Sequence, residues 1–192
     1  MKLLKLVVLG VAIFLGASAI FDKSPDHIRY EISDWFARLG SPDFIVALDS
    51  FTSREQAEVL REYKNRGHEL TCYGNLRKEE KIGSDTDYLC YTYVSAIYDN
   101  IPARLVTFFF TENQLSHIRF ELPGSSFEKL QKFLGRKLSA YKRLDLRPEY
   151  DFGTDNFGKP LMVWSVKEGI VTTSAEETQG QKVVLLWSSM DT

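Results

Sequence analysis

The sequence predicts an α+β fold with helices packed on an antiparallel β-meander, either as one body or as two sequential helix-plus-sheet units. Three observations predict it. Apolar residues recur at helical spacing in three stretches, near residues 24–40, 53–66 and 124–141. From Leu70 the chain turns to short runs of tyrosine, valine, isoleucine, threonine and phenylalanine separated by turn residues. These alternate in the order helix, meander, helix, meander, which suits helices laid on one face of an antiparallel sheet. With 192 residues, 44% hydrophobic and 13% aromatic, the chain can bury one sizeable core, and disorder is excluded for most of it.

The first segment reports on compartment. Lys2 and Lys5 precede an apolar run from Leu6 to Ala17, and Ala17-Ser18-Ala19 then offers small residues to a signal peptidase. Leu3 to Phe21 also reads as one span of 19 residues, just enough to cross a hydrocarbon layer of about 30 Å as a helix. Residues 1–21 are therefore expected to be a signal peptide or an N-terminal membrane anchor. Both readings place the rest outside the cytoplasm, periplasmic, secreted or held at the inner membrane through residues 3–21. Loss of Lys2 and Lys5 would leave 22 basic and 26 acidic residues. Such a mildly acidic domain lacks the basic field that nucleic acid requires, so nucleic acid is not an expected partner.

Residues 22–52 form a helical lead-in. Ser24-Pro25-Asp26 is a helix start, with Ile28, Ile32, Trp35, Phe36 and Leu39 on one stripe and Gly40 and Pro42 as the stop. The patch Phe44, Ile45, Val46, Leu48 and Phe51 fits neither period. The α+β domain proper is expected over 53–192, with sub-units about 53–122 and 125–190. Thr52 and Glu55 have the spacing of a capping box for a helix over Ser53 to Arg66, and Gly67 supplies its left-handed stop. A strand is expected over Tyr88 to Tyr98 and another, buried on both faces, over Ala103 to Thr111. In the next, Ile118, Phe120 and Leu122 face the core while His117, Arg119 and Glu121 face solvent.

Pro123-Gly124-Ser125 opens a helix with Phe127, Leu130, Phe133, Leu134, Leu138 and Tyr141 opposite Lys129, Lys132 and Arg136. That basic face reads as a solvated helix face or as a contact for anionic head groups or an acidic partner. Residues 142–160 read as a long polar connection, and loops of that length are often functional. Strands follow at Leu161 to Val166, Ile170 to Ser174 and Val183 to Ser188.

Cys72 and Cys90 stand on neighbouring predicted strands, and in an oxidising compartment they are expected to form a disulfide. Its loop closure contributes on the order of 3 kcal/mol. A metal site built from the two thiols with His68 and His117 is the sharper alternative, although the spacing is no finger signature. Asp85 with Asp87, and Asp151 with Asp155, have no calcium-loop pattern. There is no Gly-x-Ser-x-Gly elbow and no phosphate-cradling loop, and no cofactor is expected.

The order of elements over Ser53 to Ser188, with Phe108-Phe109-Phe110 ahead of Leu115-Ser116-His117-Ile118, resembles the small exported bacterial domains of the BamE (SmpA/OmlA) and β-lactamase-inhibitor type. The Gly-Met-Thr helix start of that family is missing. The resemblance implies protein binding without catalysis. The leading expectation is thus a non-catalytic envelope module, of assembly-factor, inhibitor or immunity type. It would bind another envelope protein through its sheet face and through Tyr150, Phe152 and Phe157 of the long loop, since aromatic residues anchor interfaces. Two alternatives make different demands. An exported hydrolase would bring His68, His117 and the aspartates into one pocket, and a small-ligand binder would hold a closed apolar cavity between helix and sheet.

Overall fold

In the computed structural model of the chain, the residues described are 24–144, 153–155, 157–178 and 180–190. The expected signal peptide or anchor, residues 1–21, lies outside them, as do Tyr150, Asp151 and Phe152. The chain divides into two units, one ending at Phe36 and one beginning at Ala37. In the first, helix α1, Asp26–Arg38, starts where Pro25 presets the backbone, with Ile28 and Arg29 donating to the Pro25 carbonyl. Among the described residues no helix is long and apolar enough to cross a membrane.

The second unit is α+β. Helices α2, Gln56–Asn65, and α3, Phe127–Lys137, pack on a sheet of eight antiparallel strands. In chain order the strands are β1 Thr71–Gly74, β2 Tyr88–Tyr93, β5 Leu105–Thr111, β6 Gln114–Leu122, β7 Lys142–Leu144, β8 Leu161–Val166, β9 Gly169–Ser174 and β10 Val183–Ser189. A hairpin of β3 Ala96–Ile97 and β4 Ile101–Pro102 stands apart. The spatial order β1-β2-β5-β6-β10-β9-β8-β7 sets two four-strand meanders side by side, joined through their last strands. Phe120 lies opposite Leu185 and Ile118 opposite Trp187 across that joint.

The core fills the helix side of the sheet. Val59 and Tyr63 of α2 and Leu130, Phe133 and Leu134 of α3 meet Val106, Phe108, Phe110, Ile118, Phe120, Leu185 and Trp187. At its centre Phe44 stacks on Tyr63 at 5.3 Å and meets Phe120 edge-on at 5.3 Å, an arrangement that suits the aromatic quadrupole. The unassigned patch before residue 52 is thereby explained. Phe44, Leu48 and Phe51 are buried, so the core reaches back ahead of Ser53.

Three local expectations need correction. The capping box at Thr52 and Glu55 does not form, because Glu55 is itself the extended residue flanking α2 and no side chain caps it. The β5–β6 turn does the work instead: Gln56 N donates to Asn113 O at 2.9 Å, and Leu115 N donates to Arg54 O at 2.8 Å. The strand from Tyr88 stops at Tyr93 rather than Tyr98. Residues 94–98 are drawn off to the lead-in, where Phe44 N donates to Ala96 O, Tyr98 N to Phe44 O and Ser95 N to Pro42 O. The polar connection from 142 begins as strand, since Lys142, Arg143 and Leu144 pair with Ser165, Trp164 and Val163.

Two turns follow from local residue chemistry, whereas Ile101 and Pro102, expected in a turn, form β4. Glu112 and Asn113 both take positive φ, 49° and 66°, the twist that a two-residue hairpin needs. Gly67, at φ +84°, ends α2.

Candidate functional site: the open face of the sheet

Strand alternation sends every second residue to the face opposite the helices. Registers across the sheet align these residues in rows. One row runs Thr71, Tyr91, Thr107, Arg119, Leu186, Thr172 and Val163; the next runs Tyr73, Leu89, Phe109, His117, Ser188, Ile170 and Ser165. Tyr93, Leu105, Glu121 and Val184 continue a third. This surface carries aromatic and aliphatic bodies around the charged Arg119 and Glu121 of the central strand β6, and Tyr73, Tyr93 and Val184 are exposed on it.

A groove of about 560 Å³ lies over the part of this face formed by β6, β10, β9 and β8. Its floor includes Arg119, Leu186, Val184, Thr172 and Leu161, and it is bounded by Glu79, Lys81 and Ile82 from the β1–β2 connection and by Asp155 and Phe157 ahead of β8. The second boundary is ordered by Asp155. Its Oδ1 accepts from the backbone N–H of Phe157 at 2.8 Å and of Lys159 at 2.9 Å, and its Oδ2 accepts from the Ser174 hydroxyl. Partial burial works against the charged form, but these bonds and the Lys159 charge outweigh it and hold the Asp155 carboxyl below the usual carboxylate range. Asp155 thus fixes a loop, and its oxygens are occupied.

The floor is not a plain solvated face, as the alternation of His117, Arg119 and Glu121 suggested; all three are half-buried. Arg119 lays its guanidinium over the Phe109 ring at 5.3 Å and bonds Glu121 at 3.0 Å. Glu121 also meets Arg104 and Lys182, each at 3.5 Å, so three cations converge on one carboxylate. Thr107 Oγ1, His117 Nδ1 and Arg119 Nε are buried without a hydrogen-bond partner among the described residues.

The sequence-predicted site residues separate. Phe157 borders the groove and is 56% exposed, whereas Tyr150 and Phe152 fall outside the described residues. Cys72 and Cys90 form a disulfide between directly opposed positions of β1 and β2. The two histidines are not brought together. His68 is buried on the helix side, 5.7 Å from the Phe44 ring and 6.0 Å from the Tyr63 ring, whereas His117 lies on the open face. Burial, and for His68 the nearby Arg66 as a second cause, lowers the pKa of both. Asp87 Oδ2 accepts from Glu112 N at 3.1 Å and serves the turn. Among the described residues no three His, Cys, Asp or Glu side chains cluster to hold a metal.

Tyr73, Tyr91, Tyr93, Val184 and Leu186 were not singled out from the sequence. The signal was present in β2, where Leu89, Tyr91 and Tyr93 alternate with Tyr88, Cys90 and Thr92, and a surface of tyrosines on the non-core phase marks a contact face. No protein-family model, curated protein or solved structure matches the chain.

Proposed function

We propose that the chain is a non-catalytic binding module of the bacterial envelope that recognises another protein through the open face of its sheet. The observation that carries this reading is the set of apolar and aromatic residues on one open face, Tyr73 and Tyr93 on β1 and β2 and Phe157, Val184 and Leu186 along the groove, on either side of the half-buried Arg119 and Glu121. Tyrosine offers large, rigid contact area with a polar tip, and an arginine already ordered by a carboxylate and a ring loses little entropy when a partner covers it. The groove has mixed polar and apolar lining, is open along the sheet face, and its Ser174 hydroxyl is bonded to an Asp155 carboxylate that already holds two backbone N–H groups of the loop. Binding a protein surface suits it better than enclosing a small apolar ligand. Residues 3–21 deliver the module to the envelope, as a cleaved leader or as an anchor.

The test is in-cell photocrosslinking from position 93 or 184, with position 132 on the exposed side of α3 as the control. One envelope protein captured from both face positions, absent from the control and lost in a Tyr73→Ser/Tyr93→Ser/Val184→Ser variant of unchanged stability, supports the reading. Equal capture from face and control sinks it.

A further inference from the structure

We infer that α1 lies in the interface of a lipid bilayer, its apolar stripe against the acyl boundary and its polar side in water. The inference rests on the proposed envelope location, with Leu3 to Phe21 retained as a span. Ile28, Ile32, Trp35 and Phe36 fall at i, i+4, i+7 and i+8 of the helix, on one stripe, and all four are exposed. Trp35 is 51% and Phe36 63% exposed, their rings edge-to-face at 4.9 Å. Contiguous apolar surface of this kind needs a cover.

Chain length selects the cover. Four residues, Asp22 to Pro25, separate the expected span from Asp26, and at an upper reach of about 3.3–3.6 Å per residue they extend no more than roughly 14 Å. The helix start is therefore held within roughly 14 Å of the hydrocarbon edge, close enough for the stripe to reach the head-group region, whenever the span is in place. Tryptophan and phenylalanine on the apolar side of a helix so placed are the residue types that settle there. The helix holds three acidic and two basic residues, so the contact is made by apolar insertion rather than by attraction to anionic lipid. Zwitterionic lipid suffices for it and salt leaves it unchanged.

Trp35 supplies its own probe, because the other two tryptophans, Trp164 and Trp187, are 6% and 0% exposed. The full-length, unprocessed chain is reconstituted in phosphatidylcholine vesicles, with and without bromine on the acyl chains near the head group. Tryptophan emission is expected to be quenched by brominated lipid, to resist aqueous iodide, and to lose the lipid-quenched component in Trp35→Phe. Quenching of Trp35 by iodide and not by bromolipid overturns the inference. So does protection from both quenchers that disappears on dilution into excess lipid, which would mean a second copy covers the stripe. Location is scored separately, by intact mass of the chain recovered from carbonate-washed membranes. The full-length mass supports retention; a chain cut after Ala19 overturns the anchor reading, and with it this inference for the protein in cells.

Discussion

Arg119 holds its guanidinium carbon 5.3 Å from the centroid of the Phe109 ring, a cation laid over an aromatic face between neighbouring strands. Phe109 is fully buried although it points away from the helices. Two cheap features of the chain, a long arginine and a phenylalanine one strand away, thus seal a part of the sheet that no helix covers. Removing the arginine in Arg119→Ala is expected to lower stability by about 1 kcal/mol, with Arg119→Lys intermediate because a point charge stacks less well than a planar one. Urea denaturation of the three proteins measures this. Equal stability of the alanine variant and the parent would show that the stacking contributes nothing to folding.

The disulfide closes a loop between residues 18 apart in sequence. Reduction, or the double replacement Cys72→Ala/Cys90→Ala, is expected to cost on the order of 3 kcal/mol. The urea midpoint should fall when reductant is added to the parent and stay put when it is added to the double variant. A parent insensitive to reductant would mean the cross-link adds nothing to stability.

Gly169 sits under Trp187. A Cβ there would come within 2.4 Å of Trp187 Nε1 and 2.5 Å of the Ser188 carbonyl oxygen, and a backbone oxygen in a paired strand has nowhere to go. Gly169→Ala should destabilise by at least the about 1–3 kcal/mol of ordinary overpacking. Gly135, with open space around it on α3, should accept alanine with a gain. Thermal melts of the pair decide whether the close approach is as rigid as described.

The two histidines predict a pH dependence. Both have folded-state pKa values below the ordinary value of about 6.5, chiefly through burial. Below that value the unfolded chain takes up protons that the folded chain refuses. Their contribution is therefore fully present above about pH 6.5 and is lost as pH falls through the folded values. Melting temperature should drop between about pH 7.5 and 5.5, and the slope should flatten in His68→Gln/His117→Gln whatever that variant's stability at neutral pH. An unchanged slope would assign the effect to other groups.

Legibility from sequence followed the range of the interaction. The fold class, the α3 stripe, the hairpin turn at Glu112 and Asn113 and the stop at Gly67 depend on neighbours a few residues away, and composition shows them. The break after Tyr93 and the missing cap at α2 depend on Phe44, Asn113 and other distant backbone groups, which no local pattern announces. The candidate site stood between these cases. Phe157 was visible as an aromatic in a loop, but the open face became readable only once the strand order set Arg119 beside Leu186 and Glu121 opposite Val184.

The margins of the sheet are its shortest members, the four residues of β1 and the three of β7. One is covalently bolted to its neighbour through Cys72, and the other presents exposed Lys142 and Arg143. A brief, charged or bolted rim offers a poor template for another chain's backbone, so copies of this protein have little means of adding strand to strand into a fibre. That leaves concentrated protein free to expose a broad open sheet face without polymerising along its edges.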